Sequence, residues 1–295
     1  MLTPNGMEHH GMSDKTIKRL HPAVRDDIGD LLTQRPLPNP HLEQLDPFLF
    51  LNHHGPQTYP PDNHGLPFGP HPHRGFETVT FILDGMLTHQ DSAGHESIIR
   101  AGGVQWMTAG RGIVHAELSP REFMRDGGPL ELLQLWVNLP GRLKMSAPAY
   151  TGLQREQIPA LAAADGVTLH LIAGQWEGAT GPVASLTGVF MSTLEMRAGS
   201  GVRLAGLQAR TVFLYVVRGS IVLGGQRAAA FHLVELNAEG DAIELAAEVD
   251  TLLVFGHAAP IGEPVVSHGP FVMNTREQIN EAIGDYQAGR FGASS

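Results

Sequence analysis

Two pairs of potential metal ligands, each separated by a single residue, constrain the fold of this chain more than any other feature. The pairs are His71-Pro72-His73 and His115-Ala116-Glu117. In a β-strand, residues i and i+2 point to the same face, so each pair directs both side chains the same way. If the two strands lie side by side in a small barrel, three imidazoles and one carboxylate converge on one point. The spacing therefore predicts a β-barrel that holds a metal site.

A single His-x-His pair is weak evidence for a metal, because a chain with 16 histidines contains such pairs by chance and most of them are simply exposed. Glycines strengthen the interpretation, since Gly75 follows the first pair and Gly110 and Gly112 precede the second, where they allow tight turns at a barrel mouth. A set of nitrogen and oxygen ligands suits Fe(II), Mn(II), Ni(II), Cu(II) or Zn(II), and affinity does not choose among them. Four protein ligands leave positions open on a five- or six-coordinate ion, which favours catalysis over a structural role.

Histidines elsewhere compete with this set. His53, His54 and His64 lie in the stretch 46–72, which is rich in Pro, Gly and His and which we interpret as a loop packed over the barrel mouth. They lack the paired spacing. His9 and His10 belong to a polar N-terminal tail that we expect to be mobile, so a metal role is not expected there.

A second group, His89, Asp91 and His95, suggests another site when it is taken in isolation. Asp91 and Ser92 sit beside a turn, however, and such residues more often bond their own backbone. The structural interpretation is therefore favoured for this group.

Longer motifs surround the two pairs. The runs 71–79, 105–117 and 134–139 together resemble the pirin family of the cupin superfamily, and the runs 269–277 and 285–291 resemble the C-terminal signature of that family. The resemblance implies an all-β bicupin, with two tandem antiparallel β-barrels (double-stranded β-helices) and a short C-terminal helix.

The resemblance also implies a ligand set for one divalent metal ion per chain: His71, His73, His115 and Glu117. Fe(II) is the preferred ion, with Mn, Ni, Cu, Co or Zn as alternatives. Glu77 completes the general cupin pattern H-x-H-x(3)-E, but pirin-like proteins take their carboxylate from the second motif. Glu77 is therefore a candidate for a residue that surrounds the ligands, rather than a ligand itself. Gln134 and Trp136 are candidates to line the pocket.

The two halves of the chain resemble each other. Thr78–Gly85 corresponds to Thr211–Gly219, which indicates a repeat of whole barrels. Counting back from Thr211 places Leu204 and Gly206 where the first half has His71 and His73, and Leu252–Phe255 offers no His-x-Glu. The second barrel is therefore predicted to hold no metal.

The predicted organisation has four parts. Residues 1–15 form the mobile tail, 16–145 the metal-binding cupin domain, 146–183 a connecting segment, and 184–295 a cupin-like domain without a metal site. Near the end, Thr275-x-x-Gln278 is a capping box that begins a short amphipathic helix, which we expect to pack on a barrel.

Composition excludes several functions. The formal charge is −10, so direct binding to nucleic acid or to an anionic membrane is not expected. There is no cysteine, which removes disulfides, thiolate ligands and a catalytic thiol. The N-terminus has no cationic start and no apolar stretch, so it predicts no secretory signal, and a cytoplasmic location is the simplest expectation.

Two functions are implied by the resemblance. One is a quercetin 2,3-dioxygenase, which opens a flat phenolic flavonol with O2 and releases CO, with Glu117 as the base. The other is a regulatory protein whose metal or redox state controls binding to a protein partner, either a transcription factor or a metabolic enzyme. Both functions use the same four residues, so the sequence leaves both open.

Overall fold

The structure, a computed structural model, describes residues 13–292, and its regular secondary structure is mostly β-strand. The strands of the first half are β1 Ile17–Pro22, β2 Val24–Arg25, β3 Thr33–Leu37, β4 Phe48–Tyr59, β5 Phe68–His73, β6 Phe76–Asp84, β7 Met86–Asp91, β8 Glu96–Arg100, β9 Val104–Thr108, β10 Ile113–Leu118, β11 Gly128–Asn138 and β12 Ala149–Leu153. Those of the second half are β13 Ala160–Ala164, β14 Val167–Ala173, β15 Gln175–Trp176, β16 Ala179–Thr180, β17 Phe190–Met196, β18 Gly201–Ala205, β19 Thr211–Arg218, β20 Ser220–Leu223, β21 Gln226–Ala229, β22 His232–Leu236, β23 Ala242–Ala247, β24 Thr251–Ala258, β25 Val266–His268 and β26 Phe271–Met273.

Each barrel consists of a seven-stranded sheet and a four-stranded sheet. The first barrel has the strand orders β12-β9-β6-β11-β4-β3-β2 and β5-β10-β7-β8, and the second has β1-β22-β19-β24-β17-β14-β13 and β18-β23-β20-β21. The predicted all-β bicupin fold is confirmed.

Alternation along the strands builds a core between the barrels. In β11, Leu133, Leu135 and Val137 are fully buried on one face and contribute to this core, while Gln134 and Trp136 point to the other face. From the second barrel, Phe213 and Tyr215 join the same cluster. The two seven-stranded sheets thus pack face to face, and each large apolar side chain buried there contributes about 1.5–3 kcal/mol.

The stretch 46–72 differs from its prediction as a loop. It contains the twelve-residue strand β4 and most of β5, so only residues 60–67 connect them. The polar residues that suggested a loop find partners inside the sheet: His54 Nδ1 lies 2.8 Å from Thr33 Oγ1, and His53 Nε2 lies 2.8 Å from Glu131 Oε1. A composition rich in Pro, Gly and His therefore did not indicate a loop in this stretch.

Strand pairing crosses the predicted domain boundaries, which themselves stay a prediction. Strand β1 pairs with β22 in the second barrel, and β12, from the segment predicted as a connection, pairs with β9 in the first. The same segment supplies β14, which pairs with β17. Asp14 and Lys15, predicted as part of the mobile tail, are also held, since Asp14 bridges to Ala242 and Lys15 Nζ donates to Ala238 O at 2.7 Å. His9 and His10 lie outside the described residues.

Two α-helices occur in the described part of the chain: α1 Arg121–Asp126 and α2 Arg276–Gln287. Short 3-10 turns occupy Gly141–Leu143 and Arg155–Gln157. The capping box that begins α2 is formed as predicted, because Gln278 N donates to Thr275 Oγ1 and Gln278 Oε1 accepts from Thr275 N. Neither helix within residues 13–292 has the length and apolar character needed to cross a membrane.

Candidate metal centre

The strands that carry the two ligand pairs are neighbours. Strands β5 and β10 pair antiparallel in the four-stranded sheet, with His71 opposite His115 and His73 opposite Ile113. The pairing slips between His115 and Glu117, so Glu117 lies opposite Phe68. The barrel thus brings together residues that are about 40 positions apart in the sequence, because antiparallel pairing places their inward faces side by side.

Three histidines form a cluster inside the first barrel. One ring nitrogen from each of His71, His73 and His115 lies within 4.8 Å of the others. The ring centroids are 4.4 Å apart for His71 and His115 and 4.9 Å apart for His73 and His115. His73 and His115 are buried, whereas His71 is half-buried and forms the most accessible side of the cluster.

Hydrogen bonds leave inward nitrogens of this cluster free. His71 Nδ1 lies 2.7 Å from Gly69 O, and His73 Nδ1 lies 3.4 Å from Pro270 O. Because a carbonyl only accepts, these contacts assign the proton to Nδ1 and leave Nε2 with its lone pair. His73 Nε2 and both nitrogens of His115 have no hydrogen-bond partner among the described residues.

Burial favours the neutral form of these rings. It lowers the pKa of His73 to about 3 and holds the pKa of His115 well below its ordinary value, with further lowering by the neighbouring histidines. Neutral imidazole is the form that ligates metals. His73 and His115 are therefore ready to accept a cation near neutral pH without first releasing protons.

Glu117 lies in the same barrel but outside the three-histidine group. Its Oε1 accepts from Thr80 Oγ1 at 3.0 Å and from the Gln105 side-chain amide, and its Oε2 accepts from the Gln134 amide. These donors come from β6, β9 and β11, which surround the site on the seven-stranded sheet. Gln134, predicted to line the pocket, contacts the site through this carboxylate.

Glu77 lies on the opposite face of β6. Thr80 points into the barrel, and the odd-numbered neighbours Val79 and Phe81 join the core between the barrels, so Glu77 points away from the histidines. Its Oε1 accepts from Thr108 Oγ1 at 2.7 Å, and burial raises its pKa. Its spacing from His73 was misleading because β5 and β6 are separate strands: a turn at Arg74 and Gly75 breaks the alternation.

Aromatic rings border the cluster. Trp136, predicted to line the pocket, lies 5.4 Å from His73 and 4.4 Å from Phe76, measured between ring centroids. Phe76 is also 5.0 Å from His73, and Phe50 is 4.7 Å from Trp136. Sequence reasoning missed Phe50 and Phe76. The position of Phe76 at the start of a strand, directly after the turn that follows His73, was an available signal.

The group at His89 and Asp91 is also closer to the site than expected. Asp91 Oδ1 accepts from the backbone of Ala93 and His95, as the turn interpretation predicted. Strand β7 nevertheless pairs with β10, so His89 lies opposite Glu117, and its ring is 5.5 Å from that of His115. Tyr150 stacks on His89 at 3.9 Å. Tyr150 was missed because its strand lies in the segment predicted to be a connection.

The rival histidines lie elsewhere. His53 Nδ1 contacts Tyr215 Oη at 2.9 Å in the core between the barrels, and His54 is bonded to Thr33. Burial lowers the pKa of both to about 3. His64 lies in the connection between β4 and β5.

The second barrel has apolar side chains at the equivalent places. Strands β18 and β23 occupy the positions of β5 and β10, with Val202 opposite Leu245 and Leu204 opposite Ile243. The four side chains belong to the apolar cluster inside that barrel. The counterpart of β10 is therefore β23, whereas Leu252–Phe255, the strand used for comparison in the sequence, corresponds to β11.

A bicupin with a histidine cluster in its first barrel and an apolar second barrel is the class of protein that this fold and site define. The protein-family model described as Pirin matches residues 30–137. The family model described as Pirin C-terminal cupin domain matches residues 191–292. The chain belongs to the pirin family.

Individual relatives agree with this assignment. A pirin-like protein of Caulobacter vibrioides is 40% identical over 268 residues, which is 90% of this chain and 94% of that protein. A protein of Pseudomonas aeruginosa, provisionally named a quercetin 2,3-dioxygenase, is 37% identical over 250 residues, 84% of this chain and 87% of its own. A solved structure of a quercetin 2,3-dioxygenase from Acinetobacter baumannii superposes with a TM-score of 0.90 at 34% identity, covering 96% of this chain and 100% of that chain.

Proposed function

We propose that this chain is a metal-dependent dioxygenase that opens flavonols such as quercetin with O2 and releases CO. Relatives named quercetin 2,3-dioxygenase, which are 34–37% identical to this chain, support the substrate class. The observation that carries the proposal is the cluster of His71, His73 and His115, in which the buried His73 Nε2 and both nitrogens of the buried His115 lack partners among the described residues. Unpaired buried nitrogens are costly unless a ligand satisfies them.

The donor set fits a divalent first-row ion. We assign His71, His73, His115 and Glu117 as ligands of one ion per chain, with Fe(II) preferred and Mn, Ni, Cu, Co or Zn as alternatives. The Nδ1 contacts of His71 and His73 with carbonyl oxygens are the kind that orient ligating histidines. When bound, such an ion acts as a Lewis acid that lowers the pKa of a coordinated hydroxyl group.

The residues of the chain then supply orientation and a base. Glu117 accepts the flavonol hydroxyl proton, and the donors from Thr80, Gln105 and Gln134 fix the direction of its carboxylate. Burial of His73, His115 and Glu117 keeps bulk water from this side of the site.

A cavity of about 310 Å³ lies next to Trp136, which borders His73. Trp136 and Phe50 form part of its wall, and Val265 and Val272 from the C-terminal hairpin region form another part, whereas none of the four proposed ligands lines it. Aromatic side chains stack on planar phenols, and the volume lies at the lower end of small-molecule sites. The size of the cavity and its aromatic residues favour a small planar ligand.

The test is turnover of quercetin under air by protein reconstituted with Fe(II). We expect stoichiometric O2 consumption, loss of quercetin absorbance and CO as product, all abolished in His73→Ala and retained in His41→Ala, which removes an exposed histidine. CO release that is lost in His73→Ala is the discriminating signal, because free metal oxidises flavonols slowly without a defined product. Equal rates in wild type and His73→Ala would reject the enzyme. In that case, metal-dependent binding to a protein partner becomes the better function, and the cytoplasmic location stays a prediction for either.

A further inference from the structure

The C-terminal segment returns from the second barrel to the turn that carries His73. Arg74, between β5 and β6, forms a parallel bridge with Phe271 at the start of β26. Its backbone N donates to Pro270 O at 3.3 Å, and its carbonyl accepts from Val272 N at 3.0 Å. Backbone hydrogen bonds therefore join the hairpin of β25 and β26 to the turn that follows His73.

The same hairpin contacts His73 directly. Pro270 O, which accepts from Arg74 N, is also the carbonyl 3.4 Å from His73 Nδ1, across a separation of 197 residues. A carbonyl at this position favours the proton on His73 Nδ1, because a carbonyl oxygen only accepts hydrogen bonds. An element from the far end of the chain thus contacts a histidine ring of the first barrel.

The side chain of Lys144 also joins the hairpin to this turn. Its side chain is 1% exposed, and Nζ donates to Gly75 O at 2.9 Å, to Val272 O at 3.0 Å and to Asn138 Oδ1 at 2.6 Å. An ammonium group has three protons, and each has an acceptor here. Gly75 permits the approach, since a Cβ at this position would lie 1.9 Å from Val272 O.

Arg74 ties the same turn to helix α2. It is 4% exposed; Nε donates to Arg111 O at 2.6 Å and Nη2 to Asp285 Oδ2 at 2.8 Å, and the guanidinium carbon is 4.6 Å from the centre of the Phe291 ring. Buried guanidinium groups with a carboxylate and an aromatic ring hold a defined orientation. Two buried basic side chains therefore fasten the C-terminal segment at Val272, Asp285 and Phe291, which all follow Pro270 in the sequence.

We propose that Lys144 and Arg74, the latter through Asp285, are positioning residues of the metal centre: they hold the Pro270 carbonyl against His73 Nδ1 and so keep His73 Nε2 free to ligate. This inference rests on the proposed metal site, because it assigns a purpose to the free Nε2. It explains why the C-terminal signature lies so far in sequence from the ligands.

The test uses the metal-free protein first. The imidazole ¹⁵N spectrum, with His73 assigned from the signal missing in His73→Ala, should show the Nδ1–H tautomer in wild type. Lys144→Met and Asp285→Ala should each shift His73 toward Nε2–H. The matched control is Glu248→Ala, which breaks an exposed pair with Arg227 in the second barrel and should leave the tautomer unchanged.

Ni(II) affinity, measured by competition with a chelator, gives the second measurement. Loss of a group that orients a ligand commonly weakens binding by about 10- to 100-fold, and we expect this range for Lys144→Met and Asp285→Ala, with no change in Glu248→Ala. Asp285→Asn and Lys144→Arg, which conserve size or charge, provide folded alternatives if the larger changes unfold the protein, and they should give smaller shifts in the same direction.

The outcomes separate the two proposals. An unchanged His73 tautomer together with unchanged Ni(II) affinity in the folded Lys144 and Asp285 variants overturns the positioning role. Full Ni(II) binding by His73→Ala overturns the metal site itself, whatever the tautomer. Loss of Ni(II) in His73→Ala with wild-type behaviour in the other variants rejects only the positioning role.

Discussion

The two barrels share a strand plan and differ in what fills them. On the face between the barrels, β6 contributes Val79 and Phe81, and β19 contributes Phe213 and Tyr215. On the inner face, Thr80 of the first barrel donates to Glu117, whereas Leu214 of the second lies in an apolar cluster. The shared face is thus mainly apolar in both halves, with a few buried polar groups such as His53 and Glu77, and the largest chemical difference lies on the inner face.

The comparison depends on the correct register between the halves. In the pairing of β6 with β11, Leu83 is an extra residue without a partner on β11. In the pairing of β19 with β24, Val217 is the extra residue. Each of the two residues lies two positions before a glycine. Matching these bulges aligns Gly85 with Gly219 and Thr80 with Leu214. The match of Thr78 with Thr211 was therefore wrong by one residue, and strand pairing, rather than counting back along the chain, places Val202 and Leu204 of β18 where the first barrel has its histidines. These are again not ligands.

The largest expected effect is on metal content. Wild type should bind about one Ni(II) per chain, and His115→Ala should lose it because the cluster then retains two imidazoles. His257→Ala removes a half-buried histidine from the second barrel and should keep the ion. Equilibrium dialysis with elemental analysis measures this. A content near two that persists in His115→Ala would show that the barrels do not differ as described.

A smaller effect concerns stability. Leu214→Ala should lower the free energy of unfolding by about 2–5 kcal/mol, because it leaves a cavity in a packed apolar interior. Thr80→Val removes one donor to Glu117 and should cost only about 0.5–1.5 kcal/mol. Urea unfolding midpoints compare the two variants. The reverse order would mean that the second barrel is the loosely packed one.

The two carboxylates of the first barrel should differ in their effect on affinity. Glu117→Gln should weaken Ni(II) binding by at least about 10-fold, because it removes a charge beside the cluster. Glu77→Gln, on the face away from the histidines, should leave affinity unchanged. A chelator titration is needed rather than a single concentration. Loss of the ion in Glu77→Gln alone would reverse the assignment.

The smallest expected effect is a change in the free energy of unfolding with pH. Burial lowers the pKa of Lys144 to about 7, while Glu263 opposes the shift. Between this value and the ordinary lysine pKa, the unfolded chain binds more protons than the folded one, so stability should rise with pH by at most about 1.4 kcal/mol per unit. The slope should shrink in Lys144→Met. An identical slope in both proteins would remove Lys144 as its source.

The sequence determined the strands with clear alternation and the ligand pairs that they carry, because alternation and glycine punctuation are local properties, whereas β4, β12 and β14 were missed. His71, His73 and His115 were found because residues two apart share a strand face, and the capping box at Thr275 was found because it is contained in four residues. The capping box needed no distant contact, but the meeting of the two pairs required their strands to be neighbours in a barrel.

Tertiary structure decided everything that depends on a partner strand or on a break in alternation. Glu77 matches His73 in parity, so alternation alone did not exclude it as a ligand; the turn at Arg74 and Gly75 resets the parity and places Glu77 on the opposite face of β6. The contact of Pro270 with His73 and the stacking of Tyr150 on His89 join segments that are distant in sequence, and only the packing of the chain brings them together. Composition gives the chemistry of a side chain, but its neighbours across the barrel are set by register, which a single residue of slip reverses.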